Sequence, residues 1–241
     1  MPQNDPGSPT ACAVEIFAFS LDEEGVLPLD LAESWLSQDE RARAAAFRFD
    51  VHRRRYIRGR GFLRGVLGRR LEREPATLGF VAGPYGKPTL DDEALQFNLS
   101  HSEDRAALAL ADASGPGGVA AARGIGIDVE RHDRRVDFDA LARRCFREAE
   151  IRWMRSFPED RRHLAFFRLW TAKEARMKAS GEGFQLSPRS IEVGFAGEWP
   201  DRYLAPAEPS ARLACFGDGA TVGAVAAFEP LRLSFGEVPQ W

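Results

Sequence analysis

Two helix-length segments, each set among short β-forming runs, constrain this chain most. His52 to Leu71 carries Tyr56, Phe62, Leu63, Val66 and Leu67 as an apolar stripe at helical spacing, and Leu164 to Ala179 reads as a second long helix. Strand candidates around the first are Ala13 to Ser20, Leu95 to Leu99 and Ala106 to Leu110. Around the second they are Arg123 to Glu130, Ile191 to Phe195, Ala211 to Phe216 and Val222 to Phe228. Each half holds strands and helices in similar amounts without a sequence repeat, so the expected fold is α+β in two lobes.

Smaller signals fill in the outline. Leu31 to Leu36 reads as a short helix, and Ser37 with Glu40 three residues on forms a capping box for the next one. Asp137 to Trp153 reads as a single helix, and Gly181 and Gly183 stop the segment before them. Gly83 to Pro88 is turn chemistry, Gly115 to Gly118 a loop, and residues 1–10 a disordered tail.

Composition excludes several classes. The 241 residues carry a net charge of only −3, which is no footprint for nucleic acid. Cys12, Cys145 and Cys215 are far apart and form no metal or disulfide pattern. No apolar run reaches the roughly 20 residues needed to span a bilayer. The start of the chain has no secretory signal pattern, so a cytoplasmic protein is expected.

Charge is distributed unevenly by type. Lys87, Lys173 and Lys178 are the only lysines. Two of them flank Glu174, and Trp170, Glu174 and Lys178 share one helix face at i, i+4 spacing, a pattern that also suits an ordinary Glu–Lys helix pair. In the strand ending at Glu130, Asp128 and Glu130 lie two apart and project together, where they either face water or bind an oxygen-preferring cation. FNLSHS, residues 97–102, offers hydroxyl and imidazole donors to a phosphate or forms a hydrogen-bonded turn. Its adjacent Ser100 and His101 point apart, against a nucleophile–base pair. Arg53, Arg54, Arg55, Arg58, Arg60 and Arg64 make a basic helix face, either solvated or open to a phosphate or an acidic partner.

In order, the chain reads GKP, FNLSHS, GIGIDVE and LWTAKEARMKASGEG. This succession resembles the 4′-phosphopantetheinyl transferases, in particular the larger two-lobed kind that serves non-ribosomal peptide and polyketide carriers. About forty residues separate GIDVE from WTAKEARMK, as in that family. The resemblance runs from about Leu36 to Phe228. It implies a pseudo-twofold monomer of two similar lobes, each a small antiparallel sheet packed with helices, with lobes at 11–121 and 122–241 and coenzyme A in the cleft.

The family's roles then fall by position. Asp128, Glu130 and Glu174 would ligate Mg²⁺, Lys178 would contact the diphosphate, and Lys173 would support that charge balance. Ser100 and His101 would hold phosphates of the 3′,5′-ADP half, Lys87 would lie beside the adenosine, and Arg55 and Arg43 would take the 3′-phosphate. Glu40 falls where the family often has a lysine, with Arg41 as its candidate substitute. Glu174 would accept the proton of the attacking serine, directly or through a water on the metal. The partner would be an acidic acyl or peptidyl carrier protein, with the helix around Cys145 to Trp153 and the loop after Gly115 as docking regions by analogy, and Arg143, Arg144 and Arg147 lending positive charge there. Two other classes share parts of this pattern. One is a different Mg²⁺-dependent phosphotransferase, although no P-loop glycine pattern is present. The other is a coenzyme A or carrier-binding module without catalysis.

Overall fold

The computed structural model describes residues 12–92, 95–112, 124–133, 136–204, 211–228 and 230–241. The tail at 1–10, the loop at 115–118 and the expected lobe boundary at 121–123 lie outside them.

The chain opens with strand β1 (Cys12–Ser20) and helices α1 (Leu29–Ser34), α2 (Gln38–Ala45) and α3 (Asp50–Leu71). Next come a short hairpin, β2 (Phe80–Ala82) and β3 (Pro88–Leu90), and the strands β4 (Leu95–Ser102) and β5 (Arg105–Asp112). The rest comprises β6 (Gly126–Arg131), α4 (Phe138–Cys145), α5 (Glu148–Arg155), α6 (Glu159–Ser180), β7 (Glu192–Ala196), β8 (Trp199–Leu204), β9 (Arg212–Gly217), β10 (Thr221–Ala227) and β11 (Leu231–Phe235).

Two sheets organise these elements. One has strand order β11-β1-β5-β4 and the other β6-β10-β9. The first buries one face against α3, through Phe17, Phe19, Phe62 and Leu108 among others. The second buries one face against α6, through Val222, Ala224, Ala226 and the alanines of that helix. A third core, built from small residues such as Ala107, Ala109, Val14, Ile127 and Val225, joins the two sheets. Layers therefore run helix, sheet, sheet, helix, an α+β arrangement. Among the described residues no helix is long and apolar enough to cross a membrane.

The last strand departs from the expected division. β11 pairs in parallel with β1, and Trp241 packs against Trp35 and Phe62. The end of the chain thus extends the first sheet: Leu231 and Leu233 pack on the core between the sheets and cover the open edge of β1, while Trp241 reaches the first core.

The capping box forms as read, with the Ser37 hydroxyl accepting from the Glu40 amide at 3.2 Å and the Glu40 carboxylate from the Ser37 amide at 2.9 Å. The single helix expected over Asp137 to Trp153 is instead two. Phe146 leaves the helical region to bury its ring, and the Arg147 amide restarts the helix on Glu150 at 2.7 Å. Arg58 and Arg64 are also buried, which neither reading of the basic helix face foresaw. Arg58 donates to the carbonyls of Leu21 and Leu27, and Arg64 to Glu40, Pro75 and Leu78. Arg53, Arg54, Arg55 and Arg60 are held by Glu33, Glu24, Asp22 and Glu40.

β6 lies directly on α6 because Gly126 has no side chain. A Cβ there would stand 2.1 Å from the Ala175 carbonyl and 2.3 Å from the Ala179 amide. Gly126→Ala is expected to push the strand off the helix at about 1–3 kcal/mol, lowering the melting temperature by several degrees. A melting curve unchanged from wild type would contradict this packing.

Candidate active site

The edges of the two sheets meet where β4 runs beside β6. Side chains join them. The Asn98 amide oxygen accepts from the Ile127 N–H at 2.8 Å, and the Ser100 hydroxyl accepts from the Val129 N–H at 3.3 Å. Alternation along β4 sends Ser100 and Ser102 to this seam and His101 to the other side. The same alternation along β6 brings Asp128 opposite Ser100 and Glu130 opposite Ser102. Ser100 donates to Asp128 at 2.9 Å, and Ser102 donates to Glu130.

α6 completes the cluster from above. The Lys178 ammonium donates to Asp128 Oδ1 at 2.6 Å and to the Ser100 hydroxyl at 2.9 Å. Gly181, at φ +76°, ends the helix three residues later in the left-handed turn that glycine adopts without strain. One turn before Lys178 stands Glu174, half-buried. Its carboxyl is pushed up to about 7, first by burial and then by the charges of Asp128 and Glu130, with Lys178 opposing. Three acids are therefore within electrostatic reach of one another.

Among the described residues no three of His, Cys, Asp and Glu form a ready-made metal cluster. The donor set nevertheless fits a hard cation. Asp128 Oδ2 is buried and has no hydrogen-bond partner. A buried carboxylate oxygen of this kind costs stability unless something positive meets it. All the acids offer oxygen, which suits Mg²⁺ or Ca²⁺ over zinc.

A pocket of about 430 Å³ opens beside this seam, lined by Arg43, Arg55, Tyr56, Arg60, Gly86 and His101 among others. It joins three of the residues expected to hold a phosphorylated ligand. Arg55 is fixed there by Asp22 and Glu103. Arg43 lies over the Tyr56 ring at 5.6 Å. Partial desolvation first, and then the charges of Lys178 and Arg55, hold the His101 pKa below its usual value.

Other expected residues sit elsewhere. Lys173 is fully buried in the second core. Its ammonium is 2.8 Å from Glu150 and donates to the carbonyls of Pro188 and Ile191. It cannot meet a diphosphate there, because it lies one residue from Glu174 and therefore about 100° around the helix. Lys87 turns inward, donating to the Ile125 carbonyl at 2.7 Å and more distantly to that of Ala179, so it fastens β6 to the end of α6. Ser100 serves Asp128 and Lys178 and does not line the pocket. Glu40 anchors Arg60 and Arg64, while Arg41 reaches back to the Leu36 carbonyl.

The comparisons with known proteins agree with this arrangement of motifs. A model of the 4′-phosphopantetheinyl transferase superfamily matches residues 124–211, the stretch that includes β6 and α6. The 4′-phosphopantetheinyl transferase HetI of Nostoc is 39% identical over 201 residues, covering 82% of this chain and 76% of its own. This chain belongs to the 4′-phosphopantetheinyl transferase superfamily. The transferase psf-1 of Bacillus pumilus is 30% identical, covering 74% of this chain and 73% of its own. Among solved structures, a holo-(acyl-carrier-protein) synthase of Bacillus anthracis covers 44% of this chain and 96% of its own at 24% identity and a TM-score of 0.40. In this phosphopantetheinyl transferase, Asp128, Glu130, Glu174 and Lys178 all stand within the segment that the family model matches.

Proposed function

We propose that this phosphopantetheinyl transferase moves the 4′-phosphopantetheine group from coenzyme A to a serine of an acyl or peptidyl carrier protein, releasing 3′,5′-ADP, with Mg²⁺ held by Asp128, Glu130 and Glu174. The observation that carries this reading is the seam itself. Three carboxylates and one ammonium converge beside an arginine-lined pocket, and one buried carboxylate oxygen is left for a cation. The fold expectation carries into the same reading. Two α/β halves related by a pseudo-twofold, acting as a monomer, would place coenzyme A between them.

Bound Mg²⁺ would supply positive charge to the diphosphate. Arg43 and Arg55 bind the 3′-phosphate, and His101 donates to the ADP half. Lys178, already at the seam, swings its ammonium to the bridging phosphate as charge develops on the leaving group. Glu174 takes the proton from the carrier serine as its oxygen attacks the pantetheine-bearing phosphorus and the diphosphate P–O bond breaks. Release of 3′,5′-ADP from coenzyme A, dependent on an apo carrier and followed by ion-pair chromatography, tests the reaction. Coenzyme A left intact with several carriers would contradict it.

Acid–base behaviour gives a second test. With its pKa near 7, Glu174 is protonated below that pH, and a cation must displace the proton. Mg²⁺ affinity in the presence of coenzyme A is therefore expected to fall about tenfold from pH 8 to pH 6, with proton uptake into the buffer seen by calorimetry. Affinity independent of pH over this range would remove Glu174 from the ligand set.

A further inference from the structure

The core between the two sheets does not close at one end. Along β1, Cys12, Val14 and Ile16 enter it, and Ala18, the next residue on that face, is exposed. Along β5, Ala107, Ala109 and Ala111 enter it, and Arg105 continues the series. The sheets splay there into a cleft of about 400 Å³, within the range of about 300–1,000 Å³ seen for small-molecule sites. Val129, between the two acids of β6, forms part of its wall on the side away from them. Phe216 and Phe235 make an aromatic side, their rings 5.8 Å apart, and Phe235 is 61% exposed.

The polar groups of the cleft are unequal. Asp218 is anchored through one oxygen, which accepts from the amides of Ala220 and Thr221 and from the Thr221 hydroxyl; against the effect of burial, these bonds and the Arg105 charge hold its pKa below the usual value. Among the described residues Arg105 has no close hydrogen-bonded partner of its own. Its Nε is buried without a hydrogen-bond partner, and Asp104 approaches it only to 3.5 Å. An apolar slot with one under-satisfied guanidinium suits a ligand with an apolar body and a single negative charge. The Asp218 carboxylate opposite would repel a polyanion.

We propose that this cleft is a second binding site, separate from the transfer site, for a small apolar monocarboxylate whose carboxylate meets Arg105 and whose body lies between Phe216 and Phe235. The occupant is a free small molecule and not a polypeptide, because the cleft of about 400 Å³ is of small-molecule size.

Amide NMR spectra of the full-length protein titrated with 4-phenylbutyrate test this, with 4-phenylbutanol as the neutral counterpart. The readout needs neither coenzyme A nor a carrier, so its failure would leave the proposed reaction standing. Saturable one-to-one shifts centred on Ala18, Val129, Phe216 and Phe235 are expected. Arg105→Gln should weaken binding about tenfold or more, the loss of one charged hydrogen bond. Ala18→Trp, which fills the slot from an exposed position, should abolish it while phosphopantetheine transfer persists. Shifts that never saturate, shifts centred elsewhere, equal binding of the alcohol, or binding unchanged in Arg105→Gln would each overturn the proposal.

Discussion

Lys173→Met is expected to cost the protein about 3–5 kcal/mol, a large part of the roughly 5–15 kcal/mol that holds a domain of this kind together. Lys173 and Glu150 are an ion pair buried in the second core, at 0% and 1% side-chain exposure. Burial draws the Lys173 pKa down, and Glu150 opposes the shift. Removing the ammonium leaves the Glu150 carboxylate without its charge partner. That carboxylate also accepts from the Val193 and Arg147 amides, so it cannot turn away without breaking β7 or the start of α5. Two carbonyls, of Pro188 and Ile191, lose their donor as well. Thermal and urea unfolding would measure the loss. If Lys173 instead met coenzyme A, the variant would keep wild-type stability and raise KM for coenzyme A alone, and that result would contradict the buried role.

Asp128→Ala is expected to reduce transfer by at least about 10²–10³-fold while leaving the fold nearly intact. The contrast with Lys173 follows from position. Asp128 is buried, but its partner Lys178 is partly exposed, with 28% of its side chain accessible, and can rehydrate once the carboxylate is gone. Ser100 keeps the Val129 amide. The loss therefore falls on chemistry. Circular dichroism and a melting curve near wild type, with turnover abolished at any Mg²⁺ concentration, would fit. Full activity would show that the cation, if one is used, is held elsewhere.

Much of this seam is legible in the sequence because its geometry is local. Asp128 and Glu130 share a strand face by alternation, and Glu174 and Lys178 share a helix face by one turn. Local spacing cannot say which way a neighbour one residue over points in three dimensions. Lys173 sits beside Glu174 in sequence and on another side of the helix in space, and its partner Glu150 comes from a helix that begins 25 residues earlier in the chain. The arginine-rich α3 misleads for a similar reason. Its charges look like a solvated face until Glu40 and four backbone carbonyls, supplied by segments before and after it, take Arg58 and Arg64 into the core. β11 is short, and its place beside β1 is fixed by the need to cover a sheet edge, a long-range requirement. The pairing of Ser102 with Glu130 was within reach of the same alternation that places Ser100, since both serines lie two apart on β4.

The most direct measurement is the intact mass of an apo acyl or peptidyl carrier protein after incubation with this enzyme, coenzyme A and Mg²⁺, with and without EDTA. A gain of one phosphopantetheine group on the carrier, absent in EDTA and absent with Asp128→Ala, is the expected result. A carrier of unchanged mass across several acyl and peptidyl carriers, with the enzyme folded and coenzyme A intact, would contradict the proposed reaction. Modification that persists in EDTA would contradict the metal.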